Sequence, residues 1–186
     1  NRQRIRALAS GRKVLDAFSY TGGFAIAALA GGAERVHAIE SSAAAIEVAR
    51  ENVAANAIDG GRLDFAEADV FKELRALRDR GVSFDLVVLD PPKFAPTASH
   101  AEKASRAYKD INLLALKLLS SEGMLVTFSC SGGVNADLFQ KIVAGAAVDA
   151  RVDAQIIARL GASADQPASV HFTEGEYLKG LILKKL

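Results

Sequence analysis

The chain has 186 residues, half of them apolar, with a formal net charge of +1. One domain of this size buries roughly 70% of its unfolded surface, and the near-neutral charge excludes the strongly basic footprint of a self-sufficient nucleic-acid binder, so any polyanion must be gripped by local patches. A single cysteine cannot form an internal disulfide, no apolar run approaches the roughly 20 residues of a bilayer span, and no signal peptide opens the chain, which predicts a cytoplasmic domain without membrane contact.

The chain begins at NRQRIRALAS, already basic and helix-like, and reads as a cut inside a longer protein. KVLDAFSY is the first strand, followed by a turn at Thr21-Gly22-Gly23 and the helix FAIAALAGG, whose small residues ease its approach to a sheet. RVHAIE is the second strand and AAAIEVARENVAANA the long helix after it, with Asn56 as a polar or left-handed cap. RLDFAEAD and FDLVVLD are the third and fourth strands, joined by VFKELRALRDR, a helix whose mixed charges read as a solvated face. The helix SRAYKDINLLALKLL leads to the fifth strand, MLVTFSC. A further helix, NADLFQKIVAGAAVDA, precedes the strands AQIIARLG and YLKGLILKKL, which flank the polar stretch ASADQPASVHFTEGE. Strand and helix alternate without repeats, which predicts a doubly wound α/β sheet. Two final strands with no helix between them require one antiparallel pairing. The expected architecture is therefore Rossmann-like, a seven-stranded, mostly parallel sheet with one antiparallel strand and helices on both faces, as in the class I methyltransferase fold.

In an open parallel sheet ligands bind outside the carboxyl ends of the strands. The first turn, DAFSYTGGF, puts glycines where backbone can approach a ligand, yet lacks both the Lys-Ser/Thr ending of a triphosphate loop and the GxGxxG of a dinucleotide site, so a ligand without phosphates is favoured. Glu40 ends the second strand, where a carboxylate can accept from both hydroxyls of a ribose; an acidic strand end can equally cap a helix. Asp69 ends the third strand and could accept from an adenine amino group beside Val70 and Phe71, or cap the following helix. Asp90 closes the fourth strand before the rigid Pro91-Pro92, and Cys130 closes the fifth. A carboxyl group and a thiol facing one crevice suggest chemistry on a planar base. Addition of a thiolate to carbon 6 of cytosine makes carbon 5 nucleophilic toward a sulfonium methyl group, and an acid near ring nitrogen 3 assists that addition.

DAFSYTGGF, the acidic ends of strands two and three, LDPPKF, RAYKDIN, TFSCSGG and EYLKG, in that order, resemble the ribosomal large subunit methyltransferase I family over essentially the whole chain. The resemblance implies S-adenosylmethionine as cofactor, cytosine in 23S ribosomal RNA as substrate and 5-methylcytosine as product. It also implies an N-terminal PUA domain and a small linking domain, absent from this chain, so that residues 1–186 form the methyltransferase domain. Asp16, Phe18, Thr21, Gly22, Gly23, Phe24, Glu40, Asp69 and Asp90 are then the cofactor's surroundings, with Tyr20, Ser41 and Val70 as adjoining candidates, and Cys130 is the nucleophile. Pro91, Pro92, Lys93 and Phe94 are candidates for holding the target base; Phe94 either stacks on it or packs beneath the loop. Other RNA cytosine methyltransferases carry a second cysteine after the proline of the fourth-strand motif, whereas this chain reads Asp90-Pro91-Pro92-Lys93-Phe94 and agrees with the single-cysteine branch. Gln166 stands where that branch leads us to expect histidine.

Lys93, Lys103, Arg106 and Lys109, with Arg2, Arg4 and Arg6, could contact RNA phosphates, although Glu102 and Asp110 dilute the patch and a solvated face is the simpler reading for most of them. His37, His100 and His171 are dispersed and show no metal-ligand spacing with the cysteine, so no metal is expected. Two other functions stay open on sequence: methylation of an exocyclic base nitrogen, which an acidic-Pro-Pro-aromatic turn also serves without a thiol, and a non-catalytic cofactor- or RNA-binding module. The oligomeric state is open as well, a homodimer included.

Overall fold

The structure, a computed structural model, describes residues 1–94, 101–163, 167, 169–172 and 175–186; His100 and Gln166 lie outside these. Among the described residues the order is α1 (Arg2–Leu8), β1 (Lys13–Ala17), α2 (Gly23–Ala30), β2 (Arg35–Glu40), α3 (Ala43–Ala55), β3 (Leu63–Glu67), α4 (Val70–Asp79), β4 (Phe84–Leu89), α5 (Ala101–Leu118), β5 (Leu119–Ser129), α6 (Ala136–Ala150), β6 (Ala154–Leu160) and β7 (Lys179–Lys185). The strands form one sheet in the order β3-β2-β1-β4-β5-β7-β6. β1 to β5 are mutually parallel, and β7 is antiparallel to both β5 and β6. The expected seven-stranded architecture with one reversed strand is what the chain adopts.

Burial on both faces explains why the central strands read as continuous apolar runs. Leu15, Val87, Leu89 and Leu125 point to the layer containing α4, α5 and α6, with Tyr108, Ile111 and Phe139 among its fully buried members. Val14, Leu86, Val88 and Val126 point the other way, against Ile5 of α1 and Ala25, Ala28 and Leu29 of α2. Strand order reverses between β1 and β4, which opens a crevice at the carboxyl edge of the sheet.

Two local expectations need correction, and a third is narrowed to one of its alternatives. The first strand stops at Ala17 rather than Tyr20, because Phe18 and Tyr20 take φ of 66° and 48° and turn the chain out of the sheet. The left-handed residue after α3 is Ala57 (φ 52°); Asn56 is the cap but has φ −91°, and its Nδ2 donates to Asn52 O at 2.8 Å. The fifth strand begins at Leu119, not Met124. Ser120 Oγ donates to Asp85 Oδ1 at 2.7 Å, and a register shift between the Phe84–Leu119 and Leu86–Met124 pairs absorbs the extra residues.

Candidate active site

The first turn owes its shape to one glycine and one buried acid. Gly22 has φ 79°, which favours glycine, and a Cβ there would meet the Ala49 Cβ tightly at 3.2 Å. Asp16 is fully buried, and its Oδ2 accepts from Ala25 N at 2.9 Å, satisfying an orphan N–H in the first turn of α2. Its Oδ1 is buried with no hydrogen-bond partner. Burial pushes the Asp16 carboxyl up to about 7, with the charges of Asp90 and Glu40 adding to the rise and the Ala25 N–H opposing it.

Glu40 folds back over the same turn. Its Oε1 accepts from Ser41 N (2.8 Å) and Ser42 N (2.9 Å), and its Oε2 from Tyr20 N (2.9 Å), leaving Oε2 free to accept again. Thr21 O accepts from Asn52 Nδ2 at 3.0 Å, which ties the turn to α3. Tyr20 itself is exposed. Asp69 is the N-cap of α4, accepting from Lys72 N at 2.9 Å, so the capping reading of that residue holds; Val70 is buried behind it. Phe24 stacks on Phe128 with centroids 5.7 Å apart and lines an open cleft of about 440 Å³ together with Arg2, Asp90 and Leu178.

Asp90 and Cys130 meet at the mouth of this edge. The Cys130 thiol donates to Pro91 O at 3.8 Å, directly beside Asp90. Although Asp90 keeps solvent contact, partial burial of its carboxyl against the strand ends raises its pKa, with Arg2 opposing. Burial also raises the pKa of the half-buried thiol, and the Asp90 charge adds to this; Lys93 and Lys179 work against it. Phe94 packs in an aromatic cluster with Phe18 (6.3 Å), Phe71 (5.9 Å) and Tyr108 (4.8 Å), so its packing role has defined contacts. Pro91 is buried, whereas Pro92 and Lys93 are exposed.

Sequence reasoning passed over two contributors, Tyr108 and Lys179, and weighed a third, Arg2, only as an RNA contact. Arg2 comes from α1, and its Nε would lie 3.1 Å from a Cβ at Gly23. Tyr108 reaches from α5 to share a 2.9 Å hydrogen bond with Ser131 Oγ. Lys179 starts β7 and donates to Ser131 O at 2.7 Å. Only the EYLKG string hinted at Lys179, and its position depends on the reversed strand. Of the basic residues considered for RNA, Arg106 pairs with Glu102 at 2.5 Å and Lys109 with Asp149 at 2.8 Å. Among the described residues no group of three His, Cys, Asp or Glu side chains could hold a metal, and no helix is long and apolar enough to cross a membrane.

The acid-lined crevice suits a cationic ligand better than a phosphate ester. Glu40 and Asp90 both lie within electrostatic reach of Asp16, and one Asp16 carboxylate oxygen is buried without a hydrogen-bond partner. Fold and crevice together define a class I methyltransferase. A model of the S-adenosylmethionine-dependent methyltransferase family matches residues 1–169, and the chain belongs to that family. It is 51% identical over 180 residues to "Ribosomal RNA large subunit methyltransferase I" of Erwinia tasmaniensis, covering 97% of this chain and 46% of the relative. The protein of the same name from Escherichia coli O139:H28 is 48% identical with the same coverage. The chain thus spans about half the length of the curated relatives it matches. Among solved structures, SMU.776 complexed with SAH superimposes with a TM-score of 0.86 at 22% identity, over 98% of this chain and 48% of that one. TrmN from Thermus thermophilus gives 0.69 at 21%, over 100% and 48%.

Proposed function

We propose that the chain transfers a methyl group from S-adenosylmethionine to carbon 5 of a cytosine in RNA, with large-subunit ribosomal RNA as the substrate and Cys130 as the covalent nucleophile. The observation that carries this reading is the contact of the Cys130 thiol with Pro91 O, beside Asp90, at the edge of the cofactor crevice. The names of relatives 48% and 51% identical support the choice of RNA.

When bound, the cofactor supplies an electrophilic methyl group on a sulfonium sulfur. The chain supplies the remaining chemistry. Glu40 would hold the ribose through the spare capacity of Oε2, and the buried Asp16 carboxyl fixes the turn beneath. Asp90, with its raised pKa, retains a proton at higher pH than an ordinary aspartate and can donate it toward nitrogen 3 of the base. A Cys130 thiolate adding to carbon 6 as nitrogen 3 takes the Asp90 proton would make carbon 5 the nucleophile for the methyl group, whose bonding pair stays with the cofactor's sulfur. Return of the nitrogen 3 proton to Asp90 and loss of the carbon 5 proton to a base then let the carbon–sulfur bond break and restore the thiolate. Pro91-Pro92 stiffens the turn that carries the acid, and Lys93 stands exposed at the same mouth, where a phosphate could reach it.

The test is RNA carrying 5-fluorocytosine at the target, incubated with a full-length protein bearing this domain. Fluorine replaces the removable proton, so the parent is expected to be trapped as a covalent adduct. Cys130→Ala is expected to lose both trapping and product while keeping cofactor affinity by calorimetry. An alanine variant that still makes 5-methylcytosine at a comparable rate removes the thiolate from the mechanism, and a product methylated on the amino nitrogen replaces carbon 5 as the target.

A further inference from the structure

A nucleophilic Cys130 faces an electrostatic difficulty, because burial and the neighbouring Asp90 both favour the neutral thiol. The reversed strand addresses it. β1 to β5 deliver their last residues to the carboxyl edge, whereas the antiparallel β7 delivers its first, and Lys179 therefore pairs with Ser129, next to Cys130. Lys179 Nζ donates to Ser131 O at 2.7 Å, and the same carbonyl accepts from Val134 N at 3.1 Å, which fixes the half-buried ammonium on the turn that carries the thiol.

Building on the Cys130 reading, we propose that Lys179 is a positioning residue for that cysteine: its ammonium, held on the Ser131 carbonyl, stabilises the thiolate when it forms and again when it leaves carbon 6. The charged and titratable groups facing the thiol are Asp90 after β4, Lys93 in the following loop, Tyr108 from α5 and Lys179 from β7. Asp90 opposes the thiolate. Lys93 favours it, but is exposed and extends over the Tyr177 ring at 5.9 Å, so solvent screens it more than the half-buried Lys179. The attraction is reciprocal: the Cys130 thiolate raises the pKa of Lys179, which burial otherwise lowers.

The experiment needs neither RNA nor turnover. Cys130 is the one thiol of the chain, so its alkylation by iodoacetamide can be followed by mass spectrometry across the thiol's titration range. Lys179→Met is expected to raise the midpoint by about one pH unit. The rate at neutral pH should fall roughly threefold, because about tenfold less thiolate is partly offset by the greater nucleophilicity of a more basic sulfur. Lys179→Gln, which can still donate to Ser131 O, separates charge from hydrogen bond and should shift the midpoint similarly, whereas Lys179→Arg should stay near the parent. Thermal melts establish that each variant is folded. A midpoint unmoved in the folded neutral variants overturns the proposal, as does an equal rise in Lys179→Arg. Failure of 5-fluorocytosine trapping would instead strike at the Cys130 reading and leave the midpoint measurement intact.

Discussion

At the scale of single residues, Asp16 shows how a strand-end carboxylate can support a site at a cost to the fold. Its aspartate would titrate near 3.8 in the unfolded chain and titrates near 7 in the folded one, chiefly because burial disfavours its charge. Below the lower value both states hold the proton and no penalty exists. Between the two values only the folded protein holds it, so stability falls as pH rises, and above 7 the loss is complete at about 4 kcal/mol. Asp16→Asn keeps an oxygen for the Ala25 N–H but carries no charge. Urea unfolding should therefore show an advantage over the parent that is larger at pH 8 than at pH 4 by up to about 4 kcal/mol. An equal difference at both pH values would mean that Asp16 is not the group destabilised by alkali.

At the scale of elements, the β5–β7 pairing shapes the cleft as well as the sheet. Gly180 lies opposite Phe128 and Leu160, and a Cβ there would sit 2.6 Å from Phe128 Cδ1 and 3.0 Å from Leu160 Cβ. The absent side chain lets Phe128 lie across β7 and stack on Phe24 at the cleft wall. Alanine normally suits a strand better than glycine, so Gly180→Ala distinguishes the two effects by sign. Denaturant unfolding should show a loss of about 1–3 kcal/mol from overpacking, and a neutral or stabilised variant would show that Phe128 yields easily. The alternation of elements and the reversed strand were legible from hydrophobic pattern and from two strands joined without a helix. The end of β1 was not. Phe18 and Tyr20 carry strand-like side chains, yet tertiary contacts, including the Tyr20 N–H on Glu40, hold them at positive φ. The early start of β5 was equally hidden, because Ser120 enters the strand through its bond to Asp85, a partner distant in sequence.

At the scale of the whole molecule, one edge of the sheet gathers Asp16, Glu40, Asp90 and Cys130 from four different strands or the turns after them; the last three could be named from strand ends, whereas Asp16, inside β1, was named only through the family resemblance. Lys179 and Arg2 reach the site from a reversed strand and a terminal helix, and neither position follows from local pattern. Charge distribution sets the remaining expectation. The net charge is +1, and many cations outside the mouth are already committed: Arg75 to Asp110 at 2.6 Å, Lys109 to Asp149 at 2.8 Å, Arg106 to Glu102 at 2.5 Å. Cations facing the mouth, such as Lys93 and Arg2, can meet only a few phosphates. Each single-strand phosphate contact contributes about −0.7 to the slope of log K against log salt. Fluorescence anisotropy of this 186-residue chain with a labelled single-stranded RNA should then give weak binding and a slope no steeper than about −3, equivalent to roughly four contacts. A slope near about −6 would require twice as many and would move the RNA-binding face from the rim of the Cys130 crevice to the helical surface where Arg106 and Lys109 now stand paired.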